Sequence, residues 1–185
     1  MRFPSQLTTE RLLLRPWSAA DAGELLPILE ANRAHIGPWI PARVAEPVPI
    51  PVLAERLAGF AESFDADREW RLCITSLEDA RILGDVGLFP RNAAGRVPLA
   101  EATCAELGYW LRSDATGRGF IAEAAAAVLD FALTIDRFEH FEIRCDARNA
   151  PSSAVARRLG FTLKATAPET TGESQTVLQT WVRGR

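Results

Sequence analysis

Apolar positions change their spacing several times along the chain, and each change marks an element. Leu12, Leu13 and Leu14 sit between Arg11 and Arg15, a short apolar run that predicts a strand over 11–17. Ser18 and Asp21 then form an S-x-x-D helix start. The helix is expected to run from Ala19 to about Ala31, to bury Leu25, Leu26 and Leu29, and to kink or split at Pro27. Five prolines between Pro38 and Pro51 argue against regular structure. Residues 32–51 therefore read as a loop, ordered by Ile36, Trp39, Ile40 and Val44.

A second helix is predicted over 52–65, with Leu53, Leu57 and Phe60 on one face. Three strands follow, over 70–76, 81–89 and 105–112, with turns at Glu78-Asp79 and at 92–96. The remainder alternates: a helix from Phe120 to about Thr134, a strand over 140–146, a short helix over 150–159 stopped by Gly160, and strands over 161–166 and 176–183. A strand-rich middle followed by strand–helix–strand–helix–strand predicts one α/β domain with a mixed sheet over 1–185.

Composition narrows the class. Of 185 residues, 48% are hydrophobic and 24% charged, the balance of a folded globular chain and not of a disordered one. A net charge of −3 with no basic stripe gives no support for nucleic-acid binding. No N-terminal apolar leader or run of membrane-spanning length is present, and Cys73, Cys104 and Cys145 are odd in number and scattered. A cytoplasmic protein with reduced, buried thiols is the expectation, with no membrane partner. There are only two histidines, His35 and His140, too few for a His-rich site, and no cluster of thiol and acidic ligands is read around them, so no metal is expected.

The most informative stretch is Glu106–Phe120: a strand, a loop with Gly117 and Gly119, then a helix start. Two glycines leave backbone N–H groups uncovered, and the helix adds its first unpaired N–H groups and the positive end of its dipole, an arrangement suited to a pyrophosphate. The loop lacks the Gly-Lys-Ser/Thr of a Walker A motif and the third glycine of a dinucleotide fingerprint. A second stretch, Asn149-Ala150-Pro151-Ser152 through Leu159-Gly160-Phe161, places a proline in a first helical turn and a glycine at its C-terminal end.

Together these two stretches resemble the acetyl-CoA loop and the N-x-x-S…L-G-F motif of the GNAT acetyltransferases. Thr9–Arg15, Asn32-Arg33 and Trp39-Ile40-Pro41 are similar to the T-x-R-L-x-L-R opening and the N-R…W-L-P loop of the RimJ/RimL group, which acetylates ribosomal-protein N-termini. Coverage runs from about Thr8 to Trp181. Two departures stand out: Asp114 replaces the Arg or Gln usual before the first loop glycine, and Gly172–Thr176 lacks the group's Asp.

The resemblance implies an α/β (α+β) domain with a mixed, mostly antiparallel sheet of about seven strands flanked by helices. It implies acetyl-CoA as cosubstrate and direct transfer of the acetyl group to an amine in a ternary complex. The cofactor side would comprise Tyr109, Trp110 and Leu111 on a strand that splays from 142–146, then Thr116, Gly117, Arg118, Gly119, Phe120 and Ile121, with Asn149 and Ser152. Backbone N–H groups of 109–111 would stabilise the thioester oxygen. Glu106 is the candidate base and Ser152 the candidate proton donor to the leaving thiolate, although both residue types also suit a solvated strand edge and a helix cap. Trp39 and Ile40, with Glu106, would border the acceptor. Arg118, Arg148, Arg157 and Arg158 are candidates for the phosphates. The acceptor would be a protein N-terminus, or alternatively a small amine such as a polyamine, amino acid or aminoglycoside; a non-catalytic CoA-binding regulator is the third reading. A monomer or homodimer is expected.

Overall fold

The computed structural model describes residues 3–171 and 174–185. The strands are β1 (Leu7–Thr8), β2 (Leu12–Pro16), β3 (Trp70–Ser76), β4 (Ile82–Asn92), β5 (Gly95–Arg96), β6 (Cys104–Leu111), β7 (His140–Asp146), β8 (Thr162–Thr171) and β9 (Ser174–Gly184). The helices are α1 (Ala22–Ile36), α2 (Ala42–Ala45), α3 (Ile50–Asp65), α4 (Phe120–Ala132) and α5 (Ala150–Arg158). All strands join one sheet in the order β1-β2-β3-β4-β6-β7-β9-β8, with β5 as a short ribbon on β4. Every pairing is antiparallel except β6 with β7. The sheet is thus mixed and mostly antiparallel, with nine strands rather than about seven, because the short β1 and β5 carry too few residues to show an alternation.

Side-chain alternation sorts the sheet's two faces. Leu72 and Ile74 of β3 and Leu107 and Leu111 of β6 join Ala124, Ala125, Val128 and Leu129 of α4 in the larger core. Cys73 and Trp110 face the other way, into a second core with Trp17, Leu25 and Leu29 of α1 and Leu53 and Leu57 of α3. Among the described residues no helix is long and apolar enough to cross a membrane.

Three expectations need correction. Pro27 does not break α1, which continues through Asn32 to Ile36. The N–H that proline lacks would bond to the carbonyl of Gly23, and both residues are exposed, so water satisfies that oxygen. The 32–51 stretch is not one loop, because its prolines start helices: Pro41 caps α2, Pro49 caps α3 and Pro51 lies in the first turn of α3. The last two strands form a longer hairpin than the sequence indicated. Of the departing 172–176 stretch, Gly172 and Glu173 lie outside the described residues.

Candidate active site

Strands β6 and β7 are parallel partners only over Cys104–Glu106 and His140–Glu142. Beyond Glu106 they part. Each keeps its outer neighbour: β6 pairs with β4 up to Leu111, and β7 pairs with β9 up to Asp146. The inner edge of β6 is therefore left without a strand partner from Leu107 onward. Arg112 donates its N–H to Leu83 of the β4 side, so alternation along β6 turns the amides of Tyr109 and Leu111 toward the gap. Buried backbone donors on such an edge require a ligand or water.

A cavity of about 460 Å³ borders this gap on the side of α4 and α5. Its lining includes Tyr109, Trp110, Leu111, Thr116, Gly117, Gly119, Phe120, Ile121, Asn149 and Ser152, together with Trp39 and Ile40. Both loop glycines adopt left-handed backbone, φ +74° at Gly117 and +81° at Gly119, conformations that side-chain-bearing residues enter only with strain. Gly119 is the N-cap of α4, so the bare turn presents amides and the helix dipole to the cavity. A methyl added at Gly119 would stand 3.7 Å from Arg11 Nη2 and 3.8 Å from Arg158 Nη1, which puts two guanidinium groups beside the turn. The cradle fits a pyrophosphate.

Arg118, expected in the cradle, does not line it; its guanidinium covers the Phe120 ring at 4.6 Å. Arg157 stacks on Trp181, and Arg148 grips Asp146 in a two-pronged pair. Asp114 turns away: Arg112 Nε holds it at 2.6 Å and its side chain is 59% exposed, which removes the repulsion expected near a pyrophosphate. Asn32 anchors the same turn, accepting from the Ser113 N–H at 2.7 Å while donating to the Ile28 carbonyl.

At the cavity's inner end, Asn149 caps α5 by accepting the Ser152 N–H at 3.1 Å. Tyr109 Oη lies 3.1 Å from Ser152 Oγ and 3.3 Å from the Ser152 carbonyl oxygen. Burial pushes the Tyr109 phenol above its ordinary range, so it is fully protonated at neutral pH.

A second cavity of about 500 Å³ lies against the first and shares Trp39, Ile40, Tyr109, Trp110, Asn149 and Ser152 with it. Glu106 lines this one. Its carboxylate is held by Arg91 Nη1 at 2.7 Å and Arg96 Nη2 at 3.3 Å. Deeper in the wall, Asp85 is buried and takes hydrogen bonds from Trp17 Nε1 at 2.7 Å and Arg71 Nη1 at 2.9 Å. Burial pushes the Asp85 carboxyl above its usual value despite these partners.

Sequence reasoning missed Arg11, Arg91 and Arg96. Arg91 and Phe89 alternate along β4, but only the register that sets Phe89 opposite Glu106 and Arg91 opposite Cys104 reveals the clamp. The view that His140 lacks ligand-type neighbours is also corrected. Cys104 and His140 are register partners, and with Glu142 their ligand atoms lie within 4.8 Å of one another. Arg91 Nε lies 3.9 Å from one Glu142 oxygen in the same cluster.

The family comparison matches residues 11–162 to the acetyltransferase (GNAT) domain. YjcK of Bacillus subtilis (strain 168), described as a probable N-acetyltransferase, is 25% identical over 155 residues, covering 84% of this chain and 82% of its own. The ribosomal-protein-serine acetyltransferase of Escherichia coli (strain K12) is 37% identical over 60 residues, 32% of this chain and 34% of its own. Among solved structures, the microcin C7 self-immunity acetyltransferase MccE in complex with acetyl-CoA and AMP superposes with a TM-score of 0.84 at 20% identity, covering 99% of this chain and 98% of that one. RimL, the ribosomal L7/L12 α-N-protein acetyltransferase in complex with coenzyme A, superposes at 0.80 with 18% identity, covering 98% and 96%. With the domain matched over most of its length and the splayed strands and glycine turn in place, the chain belongs to the GNAT acetyltransferase family and is an acetyl-CoA-dependent N-acetyltransferase resembling the RimJ/RimL group.

Proposed function

We propose that this chain, as one acetyltransferase domain, acetylates the α-amino group of a protein N-terminus by direct transfer in a ternary complex. The observation that carries the reading is the meeting of two cavities across the β6–β7 gap, with Tyr109, Trp110, Asn149 and Ser152 common to both. One cavity suits a cofactor arm and pyrophosphate; the other opens on the same reacting point from the opposite side.

Acetyl-CoA supplies the acetyl thioester. The glycine turn at Gly117 and Gly119, the start of α4 and Arg158 hold its pyrophosphate. The Tyr109 or Leu111 amide donates to the thioester oxygen as charge builds there. Glu106 takes the proton from the acceptor's ammonium group, directly or through one water, so that the neutral amine attacks; Arg91 and Arg96 hold the carboxylate in place. Attack forms the N–C bond and breaks the C–S bond. The second proton, released by the nitrogen, is relayed through the Ser152 hydroxyl, backed by the Tyr109 hydroxyl, to the departing thiolate, which leaves as the CoA thiol, and Ser152 ends as it began.

The state of the carboxylates supports a peptide acceptor over a polyamine or aminoglycoside. A polycation needs free acids, whereas among the described residues each acid lining the second cavity already contacts an arginine: Asp85, Glu106, Asp146 and Glu169. The likeness to RimL, a ribosomal L7/L12 α-N-protein acetyltransferase, and to the E. coli ribosomal-protein-serine acetyltransferase adds support. Thiol release with acetyl-CoA and a pool of N-terminal peptides, set against spermidine and an aminoglycoside, tests the reading. Turnover with peptides alone is expected; turnover with the polyamine alone contradicts it.

A further inference from the structure

The charges around the second cavity are unequally engaged. Among the described residues, five arginines line it (Arg43, Arg71, Arg91, Arg96 and Arg144), against four carboxylates. Three of those carboxylates are tightly paired: Asp85 with Arg71 at 2.9 Å, Glu106 with Arg91 at 2.7 Å, and Asp146 with Arg148 at 2.7 Å. The fourth, Glu169, has Arg144 at 3.5 Å.

The cations are in a different state. Arg96 reaches Glu106 only at 3.3 Å and Glu69 only at 3.8 Å. Among the described residues the single ion pair of Arg144 is the 3.5 Å contact just given. Arg43 makes no ion pair or hydrogen bond among the described residues. Each lining carboxylate therefore has a guanidinium, while three guanidinium groups retain N–H donors that are loosely used or unused. A cation entering the cavity would have to displace an arginine. An anion would find planar, two-pronged donors already present.

These three arginines come from separate elements, α2, β5 and β7, and so surround one space. The Arg96 guanidinium carbon sits over the Phe89 ring, 3.8 Å from its centroid, which limits its rotation and reduces the entropy lost on gripping a ligand. Glu106, on the same wall, fixes where the reacting amine enters.

We propose that the preferred acceptor is a peptide with a carboxylate side chain within its first few residues, received by Arg43, Arg96 and Arg144. This rests on the reading of the acceptor as a protein N-terminus. The acidic side chain docks among the three guanidinium groups while the N-terminal amine points to Glu106 and the thioester.

The test compares kcat/KM for three peptides that begin Ser-Asp-Glu, Ser-Ala-Ala or Ser-Lys-Lys and are otherwise identical. The expected order is acidic, neutral, basic, with the acidic peptide about tenfold above the neutral one. In R43A, R96A and R144A the acidic-to-neutral ratio falls toward one, and R43E moves the preference toward the lysine peptide. KM for acetyl-CoA reports that each variant is folded. Equal rates for the three peptides, a preference for lysine, or an unchanged ratio in all three alanine variants overturns the proposal while leaving the N-terminal reading intact. Turnover of free aspartate or another small amine with no turnover of any peptide overturns both.

Discussion

Tyr109 Oη lies 3.1 Å from Ser152 Oγ, a contact between a splayed strand and the first turn of the helix that faces it. The two hydroxyls meet at the inner end of the cofactor cavity, and Tyr109 is the only tyrosine in the chain. Ser152 is itself placed by the Asn149 cap, so Tyr109 and Asn149 together fix the position of the proposed proton donor.

The pair should behave as a unit. Ser152→Ala is expected to lower kcat about 10- to 100-fold with little change in KM for acetyl-CoA, and Tyr109→Phe to lower it by a smaller factor. Combined, they should cost about as much as Ser152→Ala alone, because the tyrosine acts through the serine. Steady-state kinetics of the four proteins tests this; fully multiplicative losses would separate their roles.

Gly119→Val should abolish acetyl-CoA binding. The position has φ +81°, where a β-branched residue is strained, and its side chain would project between Arg11 and Arg158 at the turn assigned to the pyrophosphate. Calorimetric titration of the folded variant checks this, with circular dichroism as the folding control. Parent-like affinity would remove the loop from the cofactor site.

Glu106→Gln should reduce turnover more at neutral than at high pH. A free α-amino group titrates at about 7.7–8.0, so at alkaline pH the acceptor is already neutral and needs no base. The variant's rate should approach the parent's as pH rises toward 9.5. Profiles of the same shape would assign the Glu106 contribution to holding Arg91 and Arg96.

Glu123 supports the cradle from behind. It accepts hydrogen bonds from the Thr9 hydroxyl and from the backbone and side chain of Arg11, tying the N-terminal segment to the first turn of α4. Burial raises its carboxyl pKa, but these bonds outweigh burial and leave it below the usual glutamate value. A depressed folded pKa contributes stability that is present above the unfolded value, about 4.3, and is lost as pH falls through the folded one. Glu123→Gln should therefore cost about 1 kcal/mol at pH 7, and the gap should close toward pH 3. Thermal melts across that range test it; a constant gap would contradict the assignment.

The geometry of the proposed cofactor half was legible because its determinants are local. A strand, two glycines with left-handed backbone and a helix start lie within the fifteen residues from Glu106 to Phe120. Asn149 and Ser152 lie three positions apart, the spacing of a side-chain cap. The acceptor half was mostly not legible. Arg91 reaches Glu106 only through the β4–β6 register, and Arg11 reaches the α4 turn across more than a hundred residues. The 32–51 stretch misled for a different reason: Pro49 and Pro51 forbid the middle of a helix but suit its start, and spacing alone does not tell which applies.

The most direct test of the central claim is a reaction of the purified protein with acetyl-CoA and a peptide bearing both a free N-terminal amine and an internal lysine. Thiol release is followed, and the acetyl group is located by mass spectrometry. The account predicts one thiol released per acetyl group transferred, with the acetyl on the N-terminal nitrogen. Acetylation of the lysine, or no thiol release from any free N-terminal peptide while acetyl-CoA binds, would contradict it.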